Sequence, residues 1–222
     1  MERIEDLQNG YKIIQDPDAF CFGTDAVLLS EFAKIKSGER VVDLCCGNGI
    51  IPILLFAKHK PSFVTGIEIQ KSSAELAQKT VRLNKMDDKI SIVCDDLKNA
   101  KKYIDKPVDV VTCNPPYTEW GGGYVNESDT KMIARHEIYC KLPDIFKSVN
   151  EILKFGGRFY MIHKSERLAE IISTAVEYGL EPKEVQFQHG SPDRNSKLML
   201  ISFTKGGKPQ MTVYPPIIDS KG

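Results

Sequence analysis

The stretch RVVDLCCGNGIIPILLFAK, residues 40–58, decides the fold class of this protein. Its first five residues are the apolar, β-branched run of a buried strand, and GIIPILLFAK (49–58) predicts an apolar helix. Between them stand Gly47 and Gly49, where the backbone must turn sharply and can approach a ligand closely. A strand, a glycine turn and a helix in this order predict the first unit of a parallel α/β sheet.

The rest of the chain continues this alternation of short strands and amphipathic helices. Further strands are predicted at 63–68, 90–93, 109–113, 158–163, around 185–188 and around 197–204. Helices are predicted at 71–84, 142–153 and 166–178. The last two strands would form an antiparallel hairpin on a mostly parallel sheet. Upstream, GTDAVLLSEFAKI (23–35) predicts a helix with Thr24 or Asp25 at its N-cap.

The composition is that of an ordinary globular protein of one domain. With 222 residues, 41% of them hydrophobic and 27% charged, the chain can bury one continuous core. No run approaches eighteen apolar residues and the N-terminus has no signal-peptide core, so we expect a cytoplasmic protein with no membrane partner. Thirty basic and 30 acidic residues neither support nor exclude RNA as a partner. The oligomeric state does not follow from the sequence, and a monomer is favoured.

The cysteines show neither a CxxC pair nor the framework of a secreted protein. Their surroundings are apolar, so we interpret them as small buried side chains in a reducing compartment and predict no metal site. The six positions are Cys21, Cys45, Cys46, Cys94, Cys113 and Cys140.

Polar residues follow four predicted strands at their carboxyl ends, where such sheets bind ligands. They are Asp43 with the glycine turn, Glu68, Asp95 or Asp96, and residues 114–117. Glu68 can accept hydrogen bonds from two ribose hydroxyls, and an aspartate of the third strand can accept one from an adenine amino group. The chain has neither a GxGxxG motif nor a P-loop lysine. An adenosine with a small zwitterionic arm, S-adenosylmethionine, therefore suits the pocket better than a dinucleotide or a nucleoside triphosphate.

These motifs resemble those of the class I S-adenosylmethionine-dependent methyltransferases, in their amino-methylating branch. DLCCGNG approximates the glycine motif, with Cys45 where a glycine is usual, and NPPY at 114–117 matches the catalytic motif. The resemblance implies a Rossmann-like α/β fold, with a seven-stranded, mostly parallel sheet, an antiparallel C-terminal strand and helices on both faces. It implies cofactor contacts at Phe22, Thr24, Asp25, Asp43, Cys45, Gly47, Asn48, Gly49, Glu68, Ile69, Gln70, Asp95, Asp96, Leu97 and Asn114.

The NPPY residues, Asn114, Pro115, Pro116 and Tyr117, suit methyl transfer to an amino nitrogen. An exocyclic amino group is a poor nucleophile, because its lone pair is delocalised into the ring. Two acceptors on its hydrogens, the Asn114 side-chain carbonyl and the Pro115 backbone carbonyl, favour the charge that develops on nitrogen. The prolines stiffen the backbone and so preorganise these acceptors, while Tyr117 can stack on a planar substrate. No general base with a shifted pKa is required.

A closer similarity is to bacterial methyltransferases that modify the adenine beside the anticodon of a valine tRNA. It covers about residues 10–205 and includes FGTDAVLLSEFA (22–33) and ARHE (134–137). It implies an N-terminal segment and helix on the cofactor site (1–35), a methyltransferase domain (36–205) and a tail (206–222).

Candidate RNA contacts follow from this similarity. A glycine-rich loop after Tyr117 could act as a lid on a flipped base. The candidates are Tyr117, Trp120, Arg135, Lys164 and Arg167. The alternatives are amino-methylation of an rRNA guanine or a protein glutamine amide, and a non-catalytic binding module with the same fold.

Overall fold

A computed structural model describes residues 2–7, 10–16, 23–116 and 140–219. Within these ranges the chain forms a two-stranded hairpin and one larger sheet covered by helices. The hairpin consists of β1 (Arg3–Asp6) and β2 (Lys12–Gln15). The sheet strands are β3 (Arg40–Leu44), β4 (Phe63–Glu68), β5 (Ile90–Cys94), β6 (Val108–Cys113), β7 (Leu153–Lys164), β8 (Leu180–His189), β9 (Leu198–Lys205), β10 (Thr212–Val213) and β11 (Ile217–Ile218). The helices are α1 (Thr24–Phe32), α2 (Ile50–His59), α3 (Lys71–Leu83), α4 (Leu142–Ile152) and α5 (Leu168–Glu177), with 3-10 turns at Leu97–Tyr103 and Ser165–Arg167.

The sheet is mostly parallel, as predicted. Its strand order is β10-β8-β9-β7-β6-β3-β4-β5, and β11 also pairs with β8. Strands β3 to β7 pair in parallel, whereas β9 runs antiparallel to both β7 and β8. The described residues give nine strands rather than seven, because β10 and β11 add two-residue pairings with β8. Such short pairings carry no alternating pattern that could have been recognised in the sequence.

Neighbouring residues of a strand point to opposite faces of the sheet. Both faces of this sheet are apolar, and helices cover both of them. On β3, Val42 packs in one core cluster with residues of α4 and α5, whereas Val41 packs in a second cluster with residues of α1, α2 and α3. On β6, Val111 and Val110 divide in the same way. A strand buried on both faces reads as a continuous apolar run, which is why β3 and β6 were recognisable from the sequence.

Several boundaries differ from the prediction. The N-cap of α1 is Gly23 and not Thr24 or Asp25, and no side chain caps this helix. The carboxylate of Asp25 instead accepts a hydrogen bond from Asn114, a residue distant in sequence. The β1–β2 hairpin was not predicted, because its short strands are largely polar. It docks on α3, where the backbone of Lys12 exchanges two hydrogen bonds with Asn84.

None of the helices in the described part of the chain is long and apolar enough to cross a membrane.

Candidate active site

The carboxyl ends of β3, β4, β5 and β6 lie side by side at one edge of the sheet. Leu44 is level with Ile67 of β4 on one side and with Cys113 of β6 on the other. Glu68, at the end of β4, is level with Cys94 of β5. This register brings the polar residues at the ends of the four strands to one edge of the sheet, as the sequence predicted.

The glycine turn after β3 uses the left-handed backbone region at alternate residues. The φ angles are 61° at Cys45, 54° at Gly47 and 86° at Gly49. A Cβ added at Gly47 would meet no atom within 4 Å, so the turn is open there, whereas one at Gly49 would lie 3.1 Å from Cβ of Ala77 on α3. Cys45 adopts a left-handed conformation that glycine tolerates better than other residues, so this position carries backbone strain.

Glu68 is 5% exposed and is oriented by two backbone groups. Its Oε2 accepts from the Gly47 N–H at 2.9 Å, and its Oε1 accepts from the Gln70 N–H at 2.8 Å. A carboxylate oxygen can accept more than one hydrogen bond. Each oxygen of Glu68 can therefore accept another, which suits two neighbouring hydroxyls of a ribose. Ile69, between the two anchored residues, is 41% exposed.

Two polar atoms at the end of β3 are buried and lack a partner among the described residues. They are Oδ2 of Asp43 and Nδ2 of Asn48. The other oxygen of Asp43 accepts from the Thr112 hydroxyl at 2.5 Å, and burial raises the pKa of Asp43 to about 8. A buried polar atom without a partner destabilises a fold unless a ligand satisfies it. Asp43 and Asn48 thus fit the binding of a small polar molecule.

The two aspartates after β5 have different surroundings. Both oxygens of Asp95 are used locally, by the Tyr103 hydroxyl at 2.6 Å and by the Asn99 amide at 2.9 Å, and these bonds lower the pKa of Asp95. Asp96 caps the following 3-10 turn by accepting from the Lys98 N–H at 2.9 Å. Its other oxygen forms an ion pair with Lys98 Nζ at 3.1 Å. Leu97 after it is buried in the core.

Asn114 is held in one orientation at the end of β6. Its Nδ2 donates to Oδ2 of Asp25 at 2.8 Å, which fixes the amide because a carboxylate only accepts. Its Oδ1 is buried and has no partner within the described residues. Pro115 beside it is buried. The sequence predicted that Asp25 contacts the cofactor, and the structure places it in contact with Asn114, the predicted catalytic asparagine.

The remaining predicted site residues are less informative. Lys164 ends β7 and forms an ion pair with Glu166 at 3.5 Å, and Arg167 binds both oxygens of Glu170, so neither cation stands alone. Thr24 is exposed and Pro116 is half-buried. The positions that lie outside the described residues are Phe22, Tyr117, Trp120 and Arg135.

Sequence reasoning missed two features of this edge of the sheet. Thr112 could have been found, because parallel pairing of β3 with β6 sets it level with Asp43. The contact between Asp25 and Asn114 joins residues 89 apart in sequence and has no local signal.

The buried carboxyl of Asp43 predicts a pH effect on stability. Its folded pKa of about 8 lies above its ordinary value of 3.8, so the protonated form stabilises the fold at low pH. This contribution is complete below about pH 4 and is lost as the pH rises through 8. Relative to Asp43→Asn, the wild type should therefore lose up to about 1.4 kcal/mol of unfolding free energy per pH unit across this window. Urea unfolding of the cofactor-free proteins at pH 5, 6.5 and 8 measures the difference.

Asp88→Asn, at an exposed position, serves as the control and should show no such trend relative to the wild type. A pH-independent difference between Asp43→Asn and the wild type would show that the Asp43 carboxyl is already ionised in the folded protein.

The strand order, the antiparallel strand β9 and the polar residues at the carboxyl ends of β3 to β6 define a methyltransferase of the class I fold. The chain belongs to the methyltransferase small domain family, whose model matches residues 10–178.

Comparison with individual proteins agrees with this assignment. The chain is 26% identical over 200 residues to a tRNA1(Val) (adenine(37)-N6)-methyltransferase of Bacteroides fragilis, covering 87% of this chain and 81% of the relative. A solved structure of a predicted O-methyltransferase from Agrobacterium tumefaciens superposes with a TM-score of 0.68 at 22% identity, covering 87% and 86% of the two chains. A geranyl diphosphate C-methyltransferase from Streptomyces coelicolor, solved with S-adenosyl-L-homocysteine, gives a TM-score of 0.58 at 14% identity over 82% and 80%. At these identities, both solved structures show that the fold is shared.

Proposed function

We propose that this protein transfers a methyl group from S-adenosylmethionine to the exocyclic amino nitrogen of an adenine in tRNA, beside the anticodon. The observation that carries the proposal is the buried Oδ1 of Asn114, which is without a partner in the described cleft while Nδ2 is held by Asp25. The curated relatives named as tRNA1(Val) (adenine(37)-N6)-methyltransferases support the choice of adenine and of tRNA. A tRNA substrate is consistent with a cytoplasmic enzyme.

The chain's own residues would act on the amino group by hydrogen bonding. An amino nitrogen conjugated with a purine ring becomes more nucleophilic when acceptors hold both of its hydrogens. Asn114 Oδ1 is one such acceptor, and the Pro115 carbonyl that follows it is the other. Because Asp25 fixes the amide before substrate binds, little reorganisation is needed as charge develops on the nitrogen. The amino group loses its proton to solvent once the new C–N bond has formed.

The residues present also fit the cofactor. S-adenosylmethionine, when bound, supplies an electrophilic methyl group on a sulfonium. Glu68 would hold the ribose, because two backbone N–H groups already orient its carboxylate. Asp96 rather than Asp95 would meet the adenine, since both oxygens of Asp95 are held by Tyr103 and Asn99, whereas Oδ2 of Asp96 forms a partly exposed ion pair with Lys98 at 3.1 Å, which can exchange for a ligand. Asp43 and Asn48, with their unpartnered atoms, would serve the amino-acid end.

On the RNA side, we propose that Tyr117 stacks on the target base and that Trp120 and Arg135 help to hold it. Lys164 would meet a phosphate, because it ends the strand next to β6 and lies at the same sheet edge as Asn114. Its ion pair with Glu166 is partly exposed and therefore weak enough to exchange for a phosphate. The same acceptors could serve a guanine amino group or a glutamine amide, but the names of the relatives favour adenine.

The test is to incubate the protein with radiolabelled S-adenosylmethionine and the RNA, DNA and protein fractions of cells that lack the gene. We expect label in tRNA, recovered as N6-methyladenosine after nuclease digestion and mass spectrometry. Asn114→Ala serves as the catalytically impaired control. Label confined to rRNA or to protein would overturn the assignment of the substrate.

A further inference from the structure

Three thiols lie together at the glycine turn after β3. The Sγ atoms of Cys45 and Cys140 are 3.6 Å apart, and both residues are half-buried. Cys113, at the end of β6, is fully buried and also hydrogen-bonds Cys45. No group of side chains in the described ranges could hold a metal ion, so these thiols are not explained by metal binding.

We propose that Cys45 and Cys140 form a redox modification site, in which a hydroperoxide joins them in a disulfide that lowers the affinity for the cofactor. The two sulfurs are already in contact and need to approach by about 1.5 Å to reach the S–S bond length near 2.05 Å. Cys45 belongs to the glycine turn, and Cys140 immediately precedes Lys141, the N-cap of α4. The bond would tie the turn to a helix on one face of the sheet.

The reaction balances with one equivalent of hydrogen peroxide. The thiolate of one cysteine attacks a peroxide oxygen, the O–O bond breaks, and a sulfenic acid and water result. The second thiol attacks that sulfur, forming the S–S bond and releasing a second water. Two thiols are thereby oxidised by two electrons, and the peroxide is reduced to two waters.

The reaction should be slow at neutral pH. The pKa of Cys45 is raised by its hydrogen bond with Cys113, and that of Cys140 by its hydrogen bond with Cys45, with burial adding to both. Only the thiolate attacks peroxide, so oxidation should accelerate as the pH rises. The site would respond to sustained oxidation rather than to brief exposure.

The bond would act on the cofactor through the turn. Cys45 is two residues from Gly47, whose N–H orients Glu68, and it already holds an unfavourable left-handed φ of 61°. Moving its side chain toward α4 would strain the turn and disturb the Gly47–Glu68 hydrogen bond. The effect on methylation rests on the proposed function, whereas formation of the disulfide and its effect on cofactor affinity can be measured without any RNA.

The experiment compares reduced, peroxide-treated and re-reduced protein. Free thiols are alkylated, the protein is digested without reductant, and cross-linked peptides are identified by mass spectrometry. Affinity for S-adenosylhomocysteine is measured by calorimetry on the same samples. We expect one cross-linked peptide joining Cys45 to Cys140, a rise in Kd of about tenfold or more, and recovery with dithiothreitol.

Two variants serve as controls. Cys140→Ala should keep its cofactor affinity after peroxide, because the partner thiol is gone. Cys94→Ser removes an exposed thiol outside the cluster and should respond to peroxide as the wild type does. The proposal is overturned if Cys45 and Cys140 both remain alkylatable after peroxide, if Cys45 pairs with another cysteine, or if the cross-link forms with no change in Kd.

Discussion

Asn114→Ala should lower the turnover number by roughly a hundredfold or more while changing cofactor affinity by less than about twofold. The substitution removes the buried Oδ1, the acceptor proposed to bond the amino group most strongly in the transition state. It removes little packing, because the side chain is small and only part-buried. Single-turnover methylation of tRNA measures the chemical step, and calorimetry with S-adenosylhomocysteine measures cofactor affinity. Asn195→Ala, at an exposed position, is the matched control.

A near-normal rate for Asn114→Ala would leave the NPPY stretch as a turn that ends a strand, without a catalytic role. A large loss of cofactor affinity would instead assign Asn114 to the cofactor pocket. The two measurements therefore separate catalysis from binding.

The contact with Asp25 adds a finer version of the same test. Asp25→Ala removes the acceptor for Nδ2, so the amide of Asn114 can rotate, and the rate should fall by about tenfold with unchanged cofactor affinity.

Asn114→Asp keeps an acceptor oxygen at position 114 but places a second carboxylate against Asp25. Two carboxylates in contact repel each other, which disfavours the state in which both are ionised. We expect that variant to keep only partial activity.

The double variant Asp25→Asn with Asn114→Asp reverses the donor and the acceptor. Its new amide at position 25 can donate to the new carboxylate at position 114, so it should be faster than Asn114→Asp alone. A residue with a merely structural role at position 25 would not give this rescue.

The sequence predicted most of the sheet because its central strands are buried on both faces. Apolar runs such as those of β3 and β6 cannot be confused with amphipathic segments, and the polar residues that follow them mark the strand ends. The hairpin of β1 and β2 is short, and only Ile13 and Ile14 of β2 give it buried apolar side chains. The hydrogen bonds that dock it on Thr80 and Asn84 leave no pattern in the sequence.

The sequence predicted which residues stand at the strand ends around the candidate site, but it did not predict the contacts between their side chains. Strand ends identified Asp43, Glu68 and Asn114, since parallel strands bring their carboxyl ends to one edge. Which of Asp95 and Asp96 is available to a ligand depends on the side chains that hold each carboxylate. Those contacts are a property of side-chain geometry and cannot be read from the strand pattern. The contact between Cys45 and Cys140 likewise joins residues 95 apart in sequence.

Glu68→Ala should weaken cofactor binding by about ten- to a hundredfold, because charge-assisted hydrogen bonds to the ribose contribute roughly 1.5–3 kcal/mol. The structure adds a second effect. Glu68 accepts from the Gly47 and Gln70 N–H groups, and losing it leaves these donors without that partner near the turn. The folded state should therefore lose about 1–3 kcal/mol as well. Glu75→Ala, an exposed position on α3, is the control for both measurements.

Because Glu68 both binds and supports the turn, affinity alone does not show that it touches the ribose. A ligand-side change separates the two roles. Calorimetry with S-adenosylhomocysteine and with its analogue lacking one ribose hydroxyl should show that the wild type binds the analogue about tenfold more weakly. In Glu68→Ala the two ligands should bind alike, since the acceptor for that hydroxyl is gone, whereas a distorted turn alone would weaken both ligands and preserve their ratio. Equal discrimination by the wild type and the variant would place Glu68 outside the ribose site and leave it as the support of the Gly47 turn.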